Sequence, residues 1–229
     1  MIRGFVAGLL VANAFEWVAH KYVLHGVHRK GKPRFSPHPA SMTSHWTHHR
    51  FVRKLQFGDE CYEQGIKHER TRFEISQLLV TAGVASAIAY PFSKGMALGF
   101  CYSAVNYFYV HSRSHLDHDW AKKRIPWHYD HHMNSNQDAN WCVTRPWFDY
   151  VMGTRVASSH ELMESNLLGM ALPAFIETPL NTLTRKLLPA VYARLEQNLN
   201  AEEEAQQQIA QTKVETLLDT TPENLQSVA

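Results

Sequence analysis

Ten of the chain's fifteen histidines fall into four clusters, and the spacing within them restricts what the chain can fold into. They are His20 and His25; His45, His48 and His49; His111 and His115; and His128, His131 and His132. Residues three or four apart share one face of an α-helix. The second, third and fourth clusters therefore each predict a helical face lined with imidazole. His20 and His25 are five apart, about 140° around an ideal helix. They meet at one site only if the helix ends between them and the chain bends, which Gly26 allows.

One metal ion takes roughly three to five protein ligands, so ten imidazoles predict two metals. Neutral imidazole suits iron, zinc, copper or nickel rather than calcium or magnesium. The chain has no E-x-x-H, the pair that soluble di-iron bundles use, and no H-E-x-x-H of a zinc protease. Cys61, Cys101 and Cys142 are far apart and form no C-x-x-C, which argues against thiolate ligation and a disulfide framework. His28, His38, His68 and His160 lie outside the clusters and read as ordinary. His118 follows His115 by three residues and could face the same way.

Apolar segments separate the clusters. Residues 2–19 are apolar apart from Arg3, Asn13 and Glu16, just long enough to cross a bilayer. Residues 73–110 break at residues 90–95, giving two helices of about 17 residues that cross and return. Residues 162–195, with Pro173, Arg185 and Lys186, read as an amphipathic or interfacial helix. Pro33, Pro37 and Pro39 predict a loop over residues 31–40, and Ser44 a helix cap before His45. The expected fold is all-α: a membrane-embedded bundle of about three to four spans under a cytosolic helical cap that holds a dimetal histidine site. The chain divides into residues 1–160, the oxygenase domain; 161–200, the interfacial helix; and 201–229, an acidic tail expected to be disordered or weakly helical.

The mean hydropathy of −0.34 is low for such a protein, and a soluble protein with three buried helices is the competing reading. Topology favours the membrane. One span precedes the first cluster, none separates the first from the second, and two separate the second from the third. All four clusters then share one side. Lys21, Arg50, Arg53, Lys54, Arg70, Arg72 and Lys122 to Arg124 share it too, which predicts the cytosolic face. Residues 201–229 hold six acidic residues and one lysine, so the net charge of +2 hides a basic body. Such a body suits an anionic membrane face, and nothing points to nucleic acid. A histidine-rich metal store would show no fixed register, and a transporter would carry its polar groups inside the spans, where these carry almost none.

The order H-x4-H, H-x2-H-H, H-x3-H, H-x2-H-H resembles the fatty acid hydroxylase and sterol desaturase superfamily of membrane non-haem di-iron enzymes. Residues 140–154, from Asn140 through Pro146 and Asp149 to Gly153 and Thr154, look like that family's N-x-G-x-x-x-P-x-x-D-x-x-x-G-T ending. Cys142 stands where the family has glycine. The resemblance covers roughly Glu16 to Thr154. It implies that the ten cluster histidines ligate two iron ions, with zinc an alternative occupant as isolated. It also implies a monooxygenase of lipid biosynthesis that uses O2 to hydroxylate a C–H bond in a membrane lipid, a fatty acyl chain or a sterol. Glu16, His118, Asn140 and Asp149 would stand behind the ligands. A fused haem-binding electron-transfer domain is not expected, and a separate ferredoxin or cytochrome b5-like donor with its reductase is.

An apolar channel is expected between residues 2–19 and 73–110. Tyr22, Trp46, Tyr107, Tyr109, Trp127 and Trp141 would line it or form an interfacial belt. HKYVLHG also resembles the carotenoid ring hydroxylases, but those have H-x4-H at the third cluster and lack the D-x-x-x-G-T ending. Lipid desaturation stays open, and a metal-binding membrane scaffold is the non-enzymatic alternative.

Overall fold

Glycine spacing decides how the two most intimately packed helices meet. In the computed structural model, which describes residues 1–26, 40–159, 162 and 174–219, helix α1 (Ile2–Val18) lies along helix α5 (Lys94–Leu116). Gly4 and Gly8 of α1 face Gly95 and Gly99 of α5. A Cβ on Gly8 would sit 2.6 Å from the Met96 carbonyl oxygen, and one on Gly99 would sit 2.7 Å from that of Phe5. Two glycines four apart on each helix let the backbones touch, the small-residue packing that holds helices together in lipid. No channel runs between α1 and α5 over this length, contrary to the expectation.

A valine at Gly99 is therefore expected to cost about 1–3 kcal/mol through overpacking. Gly83 has nothing within 4 Å of an added Cβ, so alanine there is expected to gain about 0.5–1 kcal/mol. Thermal unfolding of the two variants in detergent, with opposite signs of shift, checks both.

The expected hairpin is present. Helix α4 (Glu69–Ala89) turns at residues 90–92 into α5, whose first turn is capped where the Ser93 hydroxyl accepts from the Met96 amide at 3.2 Å. Helix α5 continues past Val110 and carries His111 and His115 on its last turns. Among the described residues, 2–24 form the one helix long and apolar enough to cross a membrane, with a mean hydropathy of 1.4 over its best window. Only 17% of that window is buried, unlike the core helix of a soluble protein. Helix α4 also turns apolar side chains outward: Leu79 and Val80 are each 67% exposed, and Val84 and Ile88 are exposed beside them.

Helix α1 does not end between His20 and His25. It widens into a π-helical stretch, Ala19–Leu24, in which the His25 amide bonds the His20 carbonyl at 3.0 Å. Enlarging the turn beyond 3.6 residues brings residues five apart nearly above one another. The bend comes afterwards, at Gly26 with φ +60°.

Helix α2 (Ala40–Lys54) begins four residues before Ser44, which is therefore interior and not a cap; nothing from Ala40 to Thr43 opposes helix. Three short helices follow in chain order around α4 and α5: α3 (Glu60–Glu63), α6 (His118–Arg124) and α7 (Pro126–Met133). Asp59 caps α3, Asp117 caps α6, and Pro126 opens α7, where its missing N–H costs nothing. Helix α8 (Trp147–Met152) ends at Gly153 in the left-handed region, φ +66°. Two apolar clusters flank the histidines. Val52, Phe57, Val110, Ile125, Trp127 and Val143 form one, and Trp17, Trp141 and Cys142 the other.

The single interfacial helix expected over residues 162–195 is instead two: α9 (Ala174–Leu187), with Pro179 inside, and α10 (Pro189–Asp219). Pro189 opens the second. Leu195 and Leu199 are buried, and the Asn198 side chain donates to the Arg155 carbonyl at 3.2 Å. The acidic segment after residue 200 is helical as far as Asp219. Of the loop predicted over residues 31–40, Ala40 instead opens α2, and residues 31–39 lie outside the described residues, as do Pro173, His28, His38 and His160.

Candidate metal centre

The ten cluster histidines come together from four segments of chain. His20, His25, His45, His49 and His131 form one group whose nitrogens all lie within 4.8 Å of one another; His48, His111, His115 and His132 form a second. His128 adjoins the second, its Nε2 3.3 Å from Nε2 of His115. The doublets explain the division. Neighbouring residues on a helix point about 100° apart, so His49 and His131 face the first group while His48 and His132 face the second. The groups abut, with the rings of His49 and His132 4.2 Å apart.

In the first group the Nε2 atoms converge. Nε2 of His45 is 3.0 Å from those of His20 and His25 and 3.1 Å from that of His49, and Nε2 of His131 is 3.1 Å from that of His49. Nitrogens about 2.0–2.1 Å from a common ion, at tetrahedral to octahedral angles, are about 2.9–3.4 Å apart. The other nitrogen of two of these rings meets a carbonyl: Nδ1 of His20 donates to Trp141 O at 2.5 Å, and Nδ1 of His131 to Ala139 O at 2.8 Å. A carbonyl can only accept, so the proton sits on Nδ1 and Nε2 carries a bare lone pair. Two bare lone pairs therefore point into a cluster of Nε2 atoms about 3 Å apart, an arrangement that a cation would complete. The donor set fits a metal.

The second group is built likewise. Nδ1 of His115 donates to Phe57 O at 2.8 Å and Nδ1 of His48 to the Asp59 carboxylate at 2.8 Å. Nδ1 of His111 donates to the Glu74 carboxylate at 2.6 Å. Arg70 grips Asp59 through two bonds of 2.8 and 2.7 Å, and Tyr62 donates its hydroxyl to Glu74 at 2.9 Å. Nε2 of His48 and His111 and both ring nitrogens of His132 are buried without a hydrogen-bond partner. A buried polar atom left so costs about 1–3 kcal/mol, a cost that coordination removes.

Behind the two groups, residues 139–144 are pinned by Asp149, Glu16 and Asn140, three of the four residues that the sequence reading placed there. Asp149 accepts from the amides of Trp141 at 2.9 Å and Cys142 at 2.8 Å. Glu16 accepts from the amides of Val143 and Thr144, so it braces this loop instead of facing the histidines. Asn140, at φ +59°, accepts from Val156 N at 2.8 Å and donates to Val156 O at 2.9 Å. All three hold the carbonyls that orient His20 and His131. His118 meets neither group; its ring packs edge-on against Phe57, 5.7 Å between centroids. Arg53 ties α2 to α7 by donating to the carbonyls of His132 at 2.7 Å and Asn134 at 3.1 Å.

Of the aromatic residues expected at a channel or belt, Trp127 and Trp141 are fully buried beside the site. Trp127 donates to Val143 O at 2.9 Å, and Trp141 lies against His20, His25 and His131. Tyr22 and Tyr109 are exposed, as a belt requires.

Burial, and then mutual repulsion, pushes His45, His49, His115, His128 and His132 well below the ordinary histidine value. Burial brings His131 down to about 4. These rings are neutral near pH 7, the form that ligates. Burial alone would raise Asp59, but the hydrogen bonds from His48 and Arg70 outweigh it and hold the carboxyl well below its usual range.

A pH dependence follows. Above about pH 6.5 the rings are neutral in both folded and unfolded chains, and stability is full. As pH falls from there towards about 4, the unfolded chain binds protons that the folded chain refuses. Stability is then lost, by at most roughly 1.4 kcal/mol per unit for each such histidine. Denaturation midpoints of the metal-free protein between pH 7.5 and 4.5 are expected to fall steeply, and a flat profile would contradict the neutral buried rings.

Asp59, Arg70, Tyr62 and Glu74 were not anticipated. Asp59 also caps α3, accepting from Cys61 N at 3.0 Å. Glu74 carried a signal, an acid at the mouth of an apolar helix. Phe57 carried none, yet it holds the unusual φ of +87° for a bulky side chain and aims its carbonyl at His115. Comparisons with protein-family models, curated proteins and solved structures return no match.

Proposed function

We propose that this chain is a membrane oxygenase of the fatty acid hydroxylase and sterol desaturase kind, which hydroxylates a C–H bond of a membrane lipid at a centre of two iron ions. The observation that carries the metal centre is the convergence of ring nitrogens in two adjoining groups of histidines. The histidine order and the ending from Asn140 to Thr154 support the reaction class.

Helices α1, α4 and α5 span the bilayer, their exposed apolar side chains facing lipid. The histidines lie on the cytosolic side with the basic residues of α2, α6 and the start of α4. Bound iron would supply the reduction of O2 and the removal of hydrogen from an unactivated carbon. The overall balance is lipid C–H plus O2, two electrons and two protons, giving lipid C–OH and water, with electrons from a ferredoxin or cytochrome b5-like donor.

The protein's own part is placement and exclusion. Main-chain carbonyls of Ala139, Trp141 and Phe57 and the carboxylates of Asp59 and Glu74 fix the ring tautomers, so Nε2 faces the metals. Phe57, Trp127 and Val110 on one side and Trp17 and Trp141 on the other keep bulk water from a reactive oxidant. Helix α5 joins the two environments, apolar along the hairpin and ligating at His111 and His115.

The test is oxygen-18 labelling. Iron-loaded protein in bilayers of extracted lipid, given a ferredoxin, its reductase and labelled O2, is expected to yield a lipid carrying one labelled oxygen. A product lacking two hydrogens and gaining no oxygen would make it a desaturase, and no lipid product with two irons bound would leave a metal-binding scaffold.

A further inference from the structure

We propose that helix α9 lies flat in the bilayer surface on the histidine side, beside helix α8, with Ile176, Leu183 and Leu187 at the acyl-chain boundary and Lys186 among the headgroups. The inference rests on the membrane placement in the reading above, not on the reaction.

Helix α9 is two-faced along its length. At about 100° per residue, Ile176, Leu180, Leu183 and Leu187 fall within about 60° of one another, and Thr178 and Arg185 lie opposite them. Ile176, Leu183 and Leu187 are exposed, and Leu180 is half-buried. Helix α10 packs on the polar side: the Thr184 and Tyr192 hydroxyls are 3.2 Å apart, and the Arg185 guanidinium lies 4.6 Å over the Tyr192 ring. The apolar stripe therefore points away from the helix that α9 packs against. A stripe of this kind suits a surface with an apolar interior and a polar skin. Lys186 flanks the stripe, where a long side chain reaches the headgroups while its stem stays in the apolar layer.

Helix α8 sets the depth. The Asn13 side chain donates to Arg145 O at 2.8 Å and accepts from Phe148 N at 3.1 Å. Trp17 donates to the Thr154 hydroxyl at 2.9 Å, and its ring meets that of Phe148 at 5.8 Å. These contacts fix α8 against the stretch of α1 from Asn13 to Trp17. Over that stretch α1 still exposes Phe15, and then Val18, so its outer side is apolar where α8 joins it. Helix α8 in turn exposes Val151 and Met152. The start of α10 is tied to the end of α8, where Asn198 donates to Arg155 O at 3.2 Å and Arg194 to Gly153 O at 3.5 Å. Since Tyr192 holds the end of α9, α9 is brought to the same level. A second copy seated on α9 would leave the exposed apolar residues of α8 and of this part of α1 unexplained; a bilayer surface covers all three.

The test is nitroxide labelling of single cysteines in the full-length protein. The background is Cys101→Ala, since Cys61 and Cys142 are buried. The protein is placed in bilayers of phosphatidylcholine and phosphatidylserine. Collisions of each label with O2, which partitions into lipid, and with a water-soluble nickel complex are read by electron paramagnetic resonance. Labels at Leu183→Cys and Leu187→Cys are expected to collide mainly with O2, at a depth of about 5–10 Å, and a label at Thr178→Cys mainly with nickel. A label at Leu10→Cys, exposed on α1, reports the membrane placement separately. Nickel reaching Leu183→Cys and Leu187→Cys while Leu10→Cys stays in lipid overturns this inference and leaves the proposed oxygenase standing. Spin–spin broadening between Leu183→Cys labels does the same, since a second copy then covers the stripe. Nickel reaching Leu10→Cys overturns both.

Discussion

Replacing His49 or His132 with alanine is expected to remove one metal position each and to stop product formation in both variants. The two rings face each other at 4.2 Å, but they belong to different groups. His49 takes its Nε2 into the first group, 3.1 Å from those of His45 and His131. His132 enters the second, with both ring nitrogens buried and unbonded. Loss of a supporting residue costs about 10–100-fold in metal affinity, and loss of a ligand itself costs more. Each variant should therefore retain about one metal per chain in place of about two, with the other group still occupied. Because the proposed chemistry needs both, oxidised lipid should fall by at least roughly a hundred-fold in each. Metal analysis beside product analysis distinguishes this from collapse of the fold, which would remove both metals at once.

Asp130→Ala is expected to destabilise the protein by about 3–5 kcal/mol, the largest single loss outside the ligands. Asp130 sits on α7 between His128 and His131, yet it faces away from the metals. Its carboxylate takes Arg155 Nη1 at 2.8 Å, and both side chains are essentially fully buried. Removing the acid leaves a guanidinium charge in the interior with its strongest partner gone. Arg155 also donates to Leu162 O at 2.8 Å, so the pair anchors α7 to the segment after α8. Removing both partners is expected to cost less than removing Asp130 alone, since the buried guanidinium is then gone as well. Thermal unfolding of the metal-free protein should fall by roughly 6–20 °C for the single variant. A loss below about 1 kcal/mol would mean that water reaches Arg155 in the folded state.

The histidines were legible because ligation at helical spacing is local: His45, His48 and His49 can be placed on one face without knowing anything else. The hairpin was legible for the same reason, since apolar length and a Pro91 turn are read within one stretch of chain. What was not legible depends on distance. Glu74 meets His111 across 37 residues, and Glu16 meets Thr144 across 128. A sequence shows that each acid is anomalous without showing its partner. The π-helical stretch at Ala19–Leu24 is a third kind of miss. H-x4-H does not suit an α-helix, and the simplest repair was to end the helix; the chain widens the turn instead. The glycines at positions 4, 8, 95 and 99 were in plain view, but their role emerges only when α1 and α5 are laid together. Where those glycines meet, the packing leaves no room for the predicted channel.

The most direct test of the central claim is the iron content of the detergent-purified protein after anaerobic loading with ferrous ion and removal of the excess. Two adjoining groups of imidazoles with converging ring nitrogens predict about two irons per chain. Less than one iron per chain in the folded protein would contradict the account and leave the four histidine clusters as a structural feature.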